Sequence, residues 1–420
     1  MPKEGDPRRY PWYQLILLGI VAAVEAAFYP LRRMWRSPEP LDAYGLAHFT
    51  SAAGDALLAI ALADSVFFSL PVDQAKLKVA AYLGLTMLPL ALAGPLLVPL
   101  LDRAGPRRAI SFASALGRGA VAIYAAPRIG SVLVFPAALA LLVLSKVHAI
   151  TQNGLTMAYA PENQGLMRAN ARLGRVAVGG VLWATPFGLL FLKIWGAAGP
   201  MYLAAATYVI SAAINLRLPH PQMRSEPGAK VGPRGRIPAL AGAAVGAVGL
   251  RAASGYLLFL LAFALRRGEY PTYWFGALAG AGVLGGFLAD VISPRLPDVH
   301  EERVVTLCVL GAGVGALVAF QAFALGVLIG FGVVAGAASE FGRLAFQSLM
   351  QRNAPEGAFG SVFVRYEVVF QLGWIGGALL PALLPIGFRN GILMLAGFYV
   401  ALSVVNVLRR RLEAERLERS

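Results

Sequence analysis

Residues 99–108 read PLLDRAGPRR: one carboxylate and three arginines placed directly behind a long apolar stretch. The chain around this cluster is oily. Of its 420 residues 58% are hydrophobic and 14% charged, with a mean hydropathy of +0.65. Soluble domains are about half apolar and a quarter charged, so this shift points to a membrane. The net charge of +15 fits basic loops facing anionic lipid on the inner side, and nucleic acid is not expected as a partner. A single cysteine, Cys308, leaves no internal disulfide or cysteine-based metal site, and four scattered histidines make no zinc site. No metal and no cofactor is expected.

A helix needs about 20 apolar residues to cross the hydrocarbon core. Twelve segments qualify: 43–70, 77–101, 108–127, 130–158, 164–192, 197–217, 239–266, 272–294, 302–322, 324–350, 359–384 and 388–409. Pro and Gly mark most of their ends. Their interiors are rich in Gly and Ala, which lets helices approach closely in lipid. The expected organisation is a basic N-terminal segment, 1–40, then a six-helix bundle, 41–217. A basic Pro/Gly-rich linker follows, 218–238, then a second six-helix bundle, 239–410, and a tail, 411–420. Residues 10–30, YPWYQLILLGIVAAVEAAFYP, read as a helix lying in the inner leaflet, with a thirteenth span as the alternative. The basic loops and tail place both termini in the cytoplasm and the protein in the plasma (inner) membrane. Lys76, Lys78, Arg128, Arg266 and Arg267 on the opposite side weaken that bias.

The charged cluster has an echo. GGFLADVISPR at 285–295 again closes the second span of a six-span set, and its Asp290 stands 188 positions after Asp102. AYAPENQG at 158–165 is echoed by RNAPEGAFG at 352–360, with Pro355 194 positions after Pro161. Two features at nearly one offset argue for a duplicated six-helix unit, the plan by which transporters set a midplane site between two rocking halves.

These residues resemble the major facilitator superfamily, whose signature after the second helix has the form G-x-L-a-D-r-x-G-r-[KR]. Leu100, Asp102, Arg103, Gly105, Arg107 and Arg108 match it, while Val98 replaces the leading Gly; the second-half copy keeps Gly286, Leu288 and Asp290. The resemblance covers residues 40–410. It implies an all-α integral membrane protein with twelve transmembrane helices in two pseudo-symmetric bundles, plus the extra N-terminal helix. It also implies that the signature loop acts in conformational switching. Arg107 and Arg108 equally suit plain positive-inside anchors. At 160–174, APENQGLMRANARLG, and at Gly54-Asp55, the chain is similar to the siderophore- and drug-exporting branch, which implies export.

Ionisable groups in hydrocarbon are expensive and mark function by default. Asp55, Arg118, Lys146, His148 and Arg251 lie nearest mid-depth, with Glu340, Arg343, Arg365 and Glu367 closer to the cytoplasmic end. The resemblance places Asp55, Lys146, His148, Arg251 and Glu340 on cavity-lining helices. Asp55 and Arg251, at repeat-related positions, are expected to face each other or the cavity. Asp55, Glu340 and Glu367 are candidates for carrying a proton. Structural readings compete: Glu340 and Arg343 suit a self-contained i, i+3 pair, His148 a buried hydrogen-bonded histidine, and Arg168 and Arg172 snorkelling cations. Phe67, Trp183, Trp274 and Trp374 are candidates for apolar contacts with substrate.

An excess of interior Arg and Lys favours an anionic or amphipathic substrate. The leading reading is a proton-coupled exporter working as a monomer by alternating access, with substrate, protons and membrane lipids as partners. A flippase of a lipid or lipid-linked glycan, uptake of an organic anion, and a transport-inactive membrane scaffold are the alternatives. No P-loop, HExxH or GxSxG constellation is present, so no enzyme is expected. GAGVLGG at 280–286 lies inside an apolar span and reads as helix packing.

Overall fold

The computed structural model describes residues 31–62, 107–131, 133–161, 165–221, 238–266, 270–271, 273–295, 300–354, 359–384 and 386–418. Among them run eleven long helices: α1 (Pro40–Leu62), α2 (Arg107–Ala125), α3 (Val134–Tyr159), α4 (Leu166–Trp195), α5 (Ala198–Arg217), α6 (Pro238–Arg266), α7 (Tyr273–Ile292), α8 (Glu301–Gln321), α9 (Leu325–Asn353), α10 (Phe359–Leu383) and α11 (Phe388–Glu418). Ten described helices are long and apolar enough to cross a bilayer. The helices match eleven of the expected spans within a few residues at most ends. Span 77–101 and the segment 10–30 lie outside the described residues. Residues 63–70 of the first expected span lie outside the described residues, while α11 runs past 409 to Glu418.

Local chemistry explains the boundaries. α1 and α6 open on Pro40 and Pro238, where the missing N–H has no intrahelical role. α4 closes on Gly196, the described glycine with φ at +62°, a conformation that costs glycine nothing. Hydroxyls along the spans bond back to their own helix: Thr151 Oγ1 donates to the Val147 carbonyl at 2.8 Å and Thr156 Oγ1 to the Gln152 carbonyl at 2.8 Å. Each is thereby satisfied without water.

The packing repeats as the sequence does. In the first half α1 packs on α4 and α5, and α2 on α3 and α5. In the second half α6 packs on α10 and α11, and α8 on α9 and α11, which is the same pattern one repeat later. Two glycines show how closely it is copied. A methyl group added at Gly180 of α4 would strike the Phe49 carbonyl of α1, and one at Gly377 of α10 would strike the Ala252 carbonyl of α6. In lipid, where no hydrophobic force drives helices together, such backbone contact supplies the attraction.

Each half has its own apolar core, one built around Leu57, Leu141, Met201 and Tyr208 and the other around Leu260, Val309, Phe331 and Ile392. The outward faces carry exposed apolar side chains such as Leu182 at 68%, Val314 at 61% and Leu307 at 67%. A water-soluble surface would not display them so densely, whereas acyl chains cover them.

The two halves meet on the side where α5 ends and α6 begins, here the linker side. A mixed cluster joins Val147 and Ile150 of α3 to Leu240 and Ala247 of α6, Phe346 and Met350 of α9 and Phe363 of α10.

Gly377→Val is expected to cost on the order of 1–3 kcal/mol by overpacking, seen as a lower unfolding temperature of the purified protein. The neighbouring Gly376, with nothing within 4 Å of an added methyl, serves as the control: Gly376→Val should leave that temperature unchanged. Equal effects would refute the packing account.

Candidate functional site

Between the halves, above their linker-side contact, lies a cavity of about 390 Å³. Its two walls differ in chemistry. The first half contributes uncharged hydrogen-bonding groups, namely His48 of α1, Gln152 and Asn153 of α3, and Asn170 of α4. The second half contributes Arg251 of α6, Glu340 and Arg343 of α9, and Glu367 of α10.

The charges are organised in pairs. Arg343 and Glu340 form the i, i+3 pair, with Nε donating to Oε2 at 2.9 Å and an NH2–Oε1 ion pair beside it. Arg343 NH1 also donates to Gln347 Oε1 at 2.6 Å. Glu340 and Arg343 thus pair along one helix, but the pair is not self-contained: Glu340 also shares a side-chain hydrogen bond with Asp290 of α7, and both residues line the cavity. Lys146 Nζ sits 3.0 Å from Glu367 Oε1, an ion pair that crosses from α3 to α10 and so from one half to the other. Arg251 belongs to none of the ion pairs among the described residues. Its side chain is open to the cavity, with Glu367, Glu340 and Arg343 as its electrostatic neighbours.

Below the cavity the halves are tied by polar contacts. Asn170 Nδ2 donates to Gln351 Oε1 at 2.8 Å, and Gln351 Nε2 donates to the Asn153 carbonyl at 3.1 Å. This links α4, α9 and α3. Arg175 of α4 donates to the Asp290 carbonyl of α7. The Asp290 carboxylate lies so near Gly174 that a methyl there would come within 2.7 Å of Oδ1. The second-half copy of the signature thus ends at the contact between halves, with Asp290 only 3% exposed. Gly286, one turn earlier, faces Glu340 at ordinary contact distance. Asp102, Arg103 and Gly105 lie outside the described residues.

Asp55 and Arg251 do not face each other. Asp55 stands two turns beyond His48 on the same face of α1 and accepts from Arg118 NH1 at 3.1 Å and from the Tyr208 hydroxyl at 2.7 Å. Arg118 is fully buried, also donates to Ser51 Oγ at 2.9 Å, and lies 4.4 Å over the Tyr208 ring. A buried guanidinium takes the nearest carboxylate available, and α2 brings Arg118 closer than any second-half helix comes. His148 is buried, with Ser114 Oγ 3.5 Å from Nδ1, and it stacks on His48 at 6.5 Å.

Other arginines depart from the sequence reading. Arg107 is 1% exposed and inserts against Gly154 of α3, so it is no surface anchor. Arg108 donates to the Leu216 carbonyl at 2.6 Å, satisfying the C-terminal end of α5. Arg172 pairs with Asp42 in the first turn of α1 and with Glu39 just before it. Of the aromatic candidates, Trp183 packs on Phe49 and Phe187 and Trp274 on Tyr270. Trp374 lines a second, apolar cavity, and Phe67 lies outside the described residues. His48, Gln152, Asn153, Asn170 and Gln351 escaped the sequence reading, which followed ionic charge. Four are amides, and amides in an apolar helix were the available signal, because each also needs a partner.

Two outcomes are expected. Arg118→Met should destabilise the protein by leaving a buried hole in its hydrogen bonding, and adding Asp55→Asn should cost little more, because the two act as a unit; additive losses in unfolding temperature would separate them. In a Cys308→Ser background, Asn170→Cys with Gln351→Cys should let a short thiol-reactive reagent join the halves, seen as a gel shift after cleavage of the linker. No joining under any condition would refute this contact.

No family model matches the chain. An uncharacterized protein of Mycobacterium leprae is 26% identical over 375 residues, covering 79% of this chain and 64% of that protein. An uncharacterized protein of Mycobacterium tuberculosis is 29% identical over 182 residues, covering 40% of this chain and 32% of that protein. The chain thus spans less than two thirds of these relatives' lengths. Among solved structures, the human organic anion transporter MFSD10 superposes with a TM-score of 0.68 at 16% identity, over 88% of this chain and all of that one. The transporter FucP in its outward conformation gives 0.65 at 14%, over 88% and 98%. A bacterial homologue of the iron transporter ferroportin, in an outward-facing state, gives 0.64 at 18%, over 88% and 98%. Duplicated packing, a charged cavity between the halves and these likenesses agree: this chain is a multi-pass membrane protein with the fold of the major facilitator superfamily of secondary transporters.

Proposed function

We propose that the chain is a proton-coupled secondary transporter that moves an anionic or amphipathic small molecule by alternating access. The observation that carries this is Arg251, a guanidinium open to a cavity whose other described charges are already paired. Keeping such a cation in the membrane interior is costly, and a substrate carboxylate or phosphate would complete it with two parallel hydrogen bonds.

Coupling follows from the pair between the halves. Opening the linker side separates Lys146 from Glu367 and leaves two bare charges in a low-dielectric interior. A proton on Glu367 removes one of them, and an anion held by Arg251 beside Lys146 compensates the other. Empty of both, the tie holds. Filled with both, it releases. This electrostatic logic favours proton and anion travelling together, hence uptake. The similarity at 160–174 and at Gly54-Asp55 favours export by exchange with protons, and a flux measurement separates the two. A flippase uses the same cavity with a lipid as its anion, whereas a scaffold has no need of an Arg251 outside the ion pairs of the described residues.

The test is flux in proteoliposomes under an imposed pH gradient, with candidate organic anions presented on each side. Arg251→Ala should lower anion flux roughly tenfold or more, the worth of a charged hydrogen-bonded contact. Glu367→Gln should keep anion exchange but lose accumulation driven by the gradient. Asp55→Asn, if it alone abolishes proton coupling, moves the proton site to the Asp55–Arg118 pair. Proton-linked flux indifferent to Arg251 would refute the anion site, and absence of flux with every candidate would favour the scaffold.

A further inference from the structure

A second cavity, of about 440 Å³, lies inside the second half. It is lined by Leu257, Leu261, Leu278, Leu328, Phe331 and Trp374, and it shares Ser339 and Glu340 with the charged cavity. The two spaces are therefore neighbours across one turn of α9.

Polarity changes in the same sense along three helices that line them. On α6, Arg251 faces the charged cavity, Ser254 stands at the junction, and Leu257 and Leu261 face the apolar one. On α9, Gln347 and Arg343 lie in the charged cavity, Glu340 and Ser339 at the junction, and Ala335 and Leu328 in the apolar one. On α10, Glu367 and Phe370 come first and Trp374 last. At the junction Ser254 Oγ donates to the Leu250 carbonyl at 2.9 Å and lies 3.0 Å from Ser339 Oγ, from which it can accept. The seam's hydroxyls thus bond to each other and to backbone. From Arg251 to Leu261 the α6 face covers about 15 Å.

We propose that the two cavities form one bipartite site for an anionic amphiphile, with an oxyanion head on Arg251 and a single flexible apolar chain passing Ser254 and Ser339 into the pocket ending at Leu261, Leu328 and Trp374. This rests on the anion-binding role proposed for Arg251 and narrows its substrate class. Charge complementarity selects the head, because Arg251 lies outside the ion pairs of the described residues. The wall chemistry selects the tail, because an apolar pocket offers a polar substrate nothing in return for its lost hydration. A small hydrophilic anion would fill only the charged half.

The experiment uses the full chain in nanodiscs, with n-alkyl carboxylates and n-alkyl phosphates from butyl to dodecyl as probes and empty nanodiscs subtracted. Affinity should rise about fourfold per methylene buried until the pocket is filled. Ala335→Trp should flatten that dependence while sparing the butyl probes, and Ala279→Trp does the same from the α7 wall should the first variant fail to fold. A terminally brominated dodecanoate should quench tryptophan emission in the wild-type chain and measurably less in Trp374→Phe. Arg251→Ala should weaken every probe by a similar factor and leave the slope intact. Dependence on Arg251 with no dependence on chain length overturns the bipartite site and leaves the anion reading standing. Dependence on chain length without dependence on Arg251 overturns the anion reading instead, and the site as proposed with it. A chain-length slope untouched by both tryptophan variants places the tail elsewhere and refutes the pocket. Preference between carboxylate and phosphate heads identifies the oxyanion.

Discussion

A charge taken out of water must bring its partner along, and this protein's interior is arranged around that requirement. A carboxylate or guanidinium moved without compensation into low dielectric costs several kcal/mol even after relaxation. Arg118 meets the demand with Asp55, Ser51 and the Tyr208 ring, all within the first half. Arg343 meets it with Glu340 on its own helix. Lys146 and Glu367 meet it by reaching across the two halves, which turns a solvation requirement into a mechanical tie.

The helices that hold these pairs are set by close backbone contact. Lipid tails are as apolar as leucine, so helices are sorted by how nearly they can approach. Gly180 against Phe49 and Gly377 against Ala252 bring α1 to α4 and α6 to α10 in matching fashion. Gly174 does the same between halves by admitting the Asp290 carboxylate. Duplication has kept the packing and let the chemistry diverge. Asp55 and Arg251, 196 positions apart, occupy related places with opposite charge: the acid is paired inside its own half, and the base is turned to the cavity.

That divergence gives the cavity two unlike walls, amides and an imidazole on one side and full charges on the other. The amide wall can rearrange its hydrogen bonds as the halves move, since Gln152 and Asn170 each carry both donor and acceptor. The charged wall cannot rearrange without changing protonation or acquiring a counter-ion.

Much of this was legible in the residues. Hydropathy alone marks the spans, because a bilayer demands about 20 apolar residues per crossing, and the echo of PLLDRAGPRR in GGFLADVISPR marks the duplication. The i, i+3 pairing of Glu340 with Arg343 was equally readable, since one helix dictates it. What the residues could not declare was partnership between helices. Arg118 choosing Asp55, Lys146 choosing Glu367, Arg107 burying itself against Gly154 and Arg251 left outside the described ion pairs all depend on which faces come together. A single chain records hydrophobicity and periodicity residue by residue, but a pair energy falls off over a few ångströms and exists only once packing has set the distance.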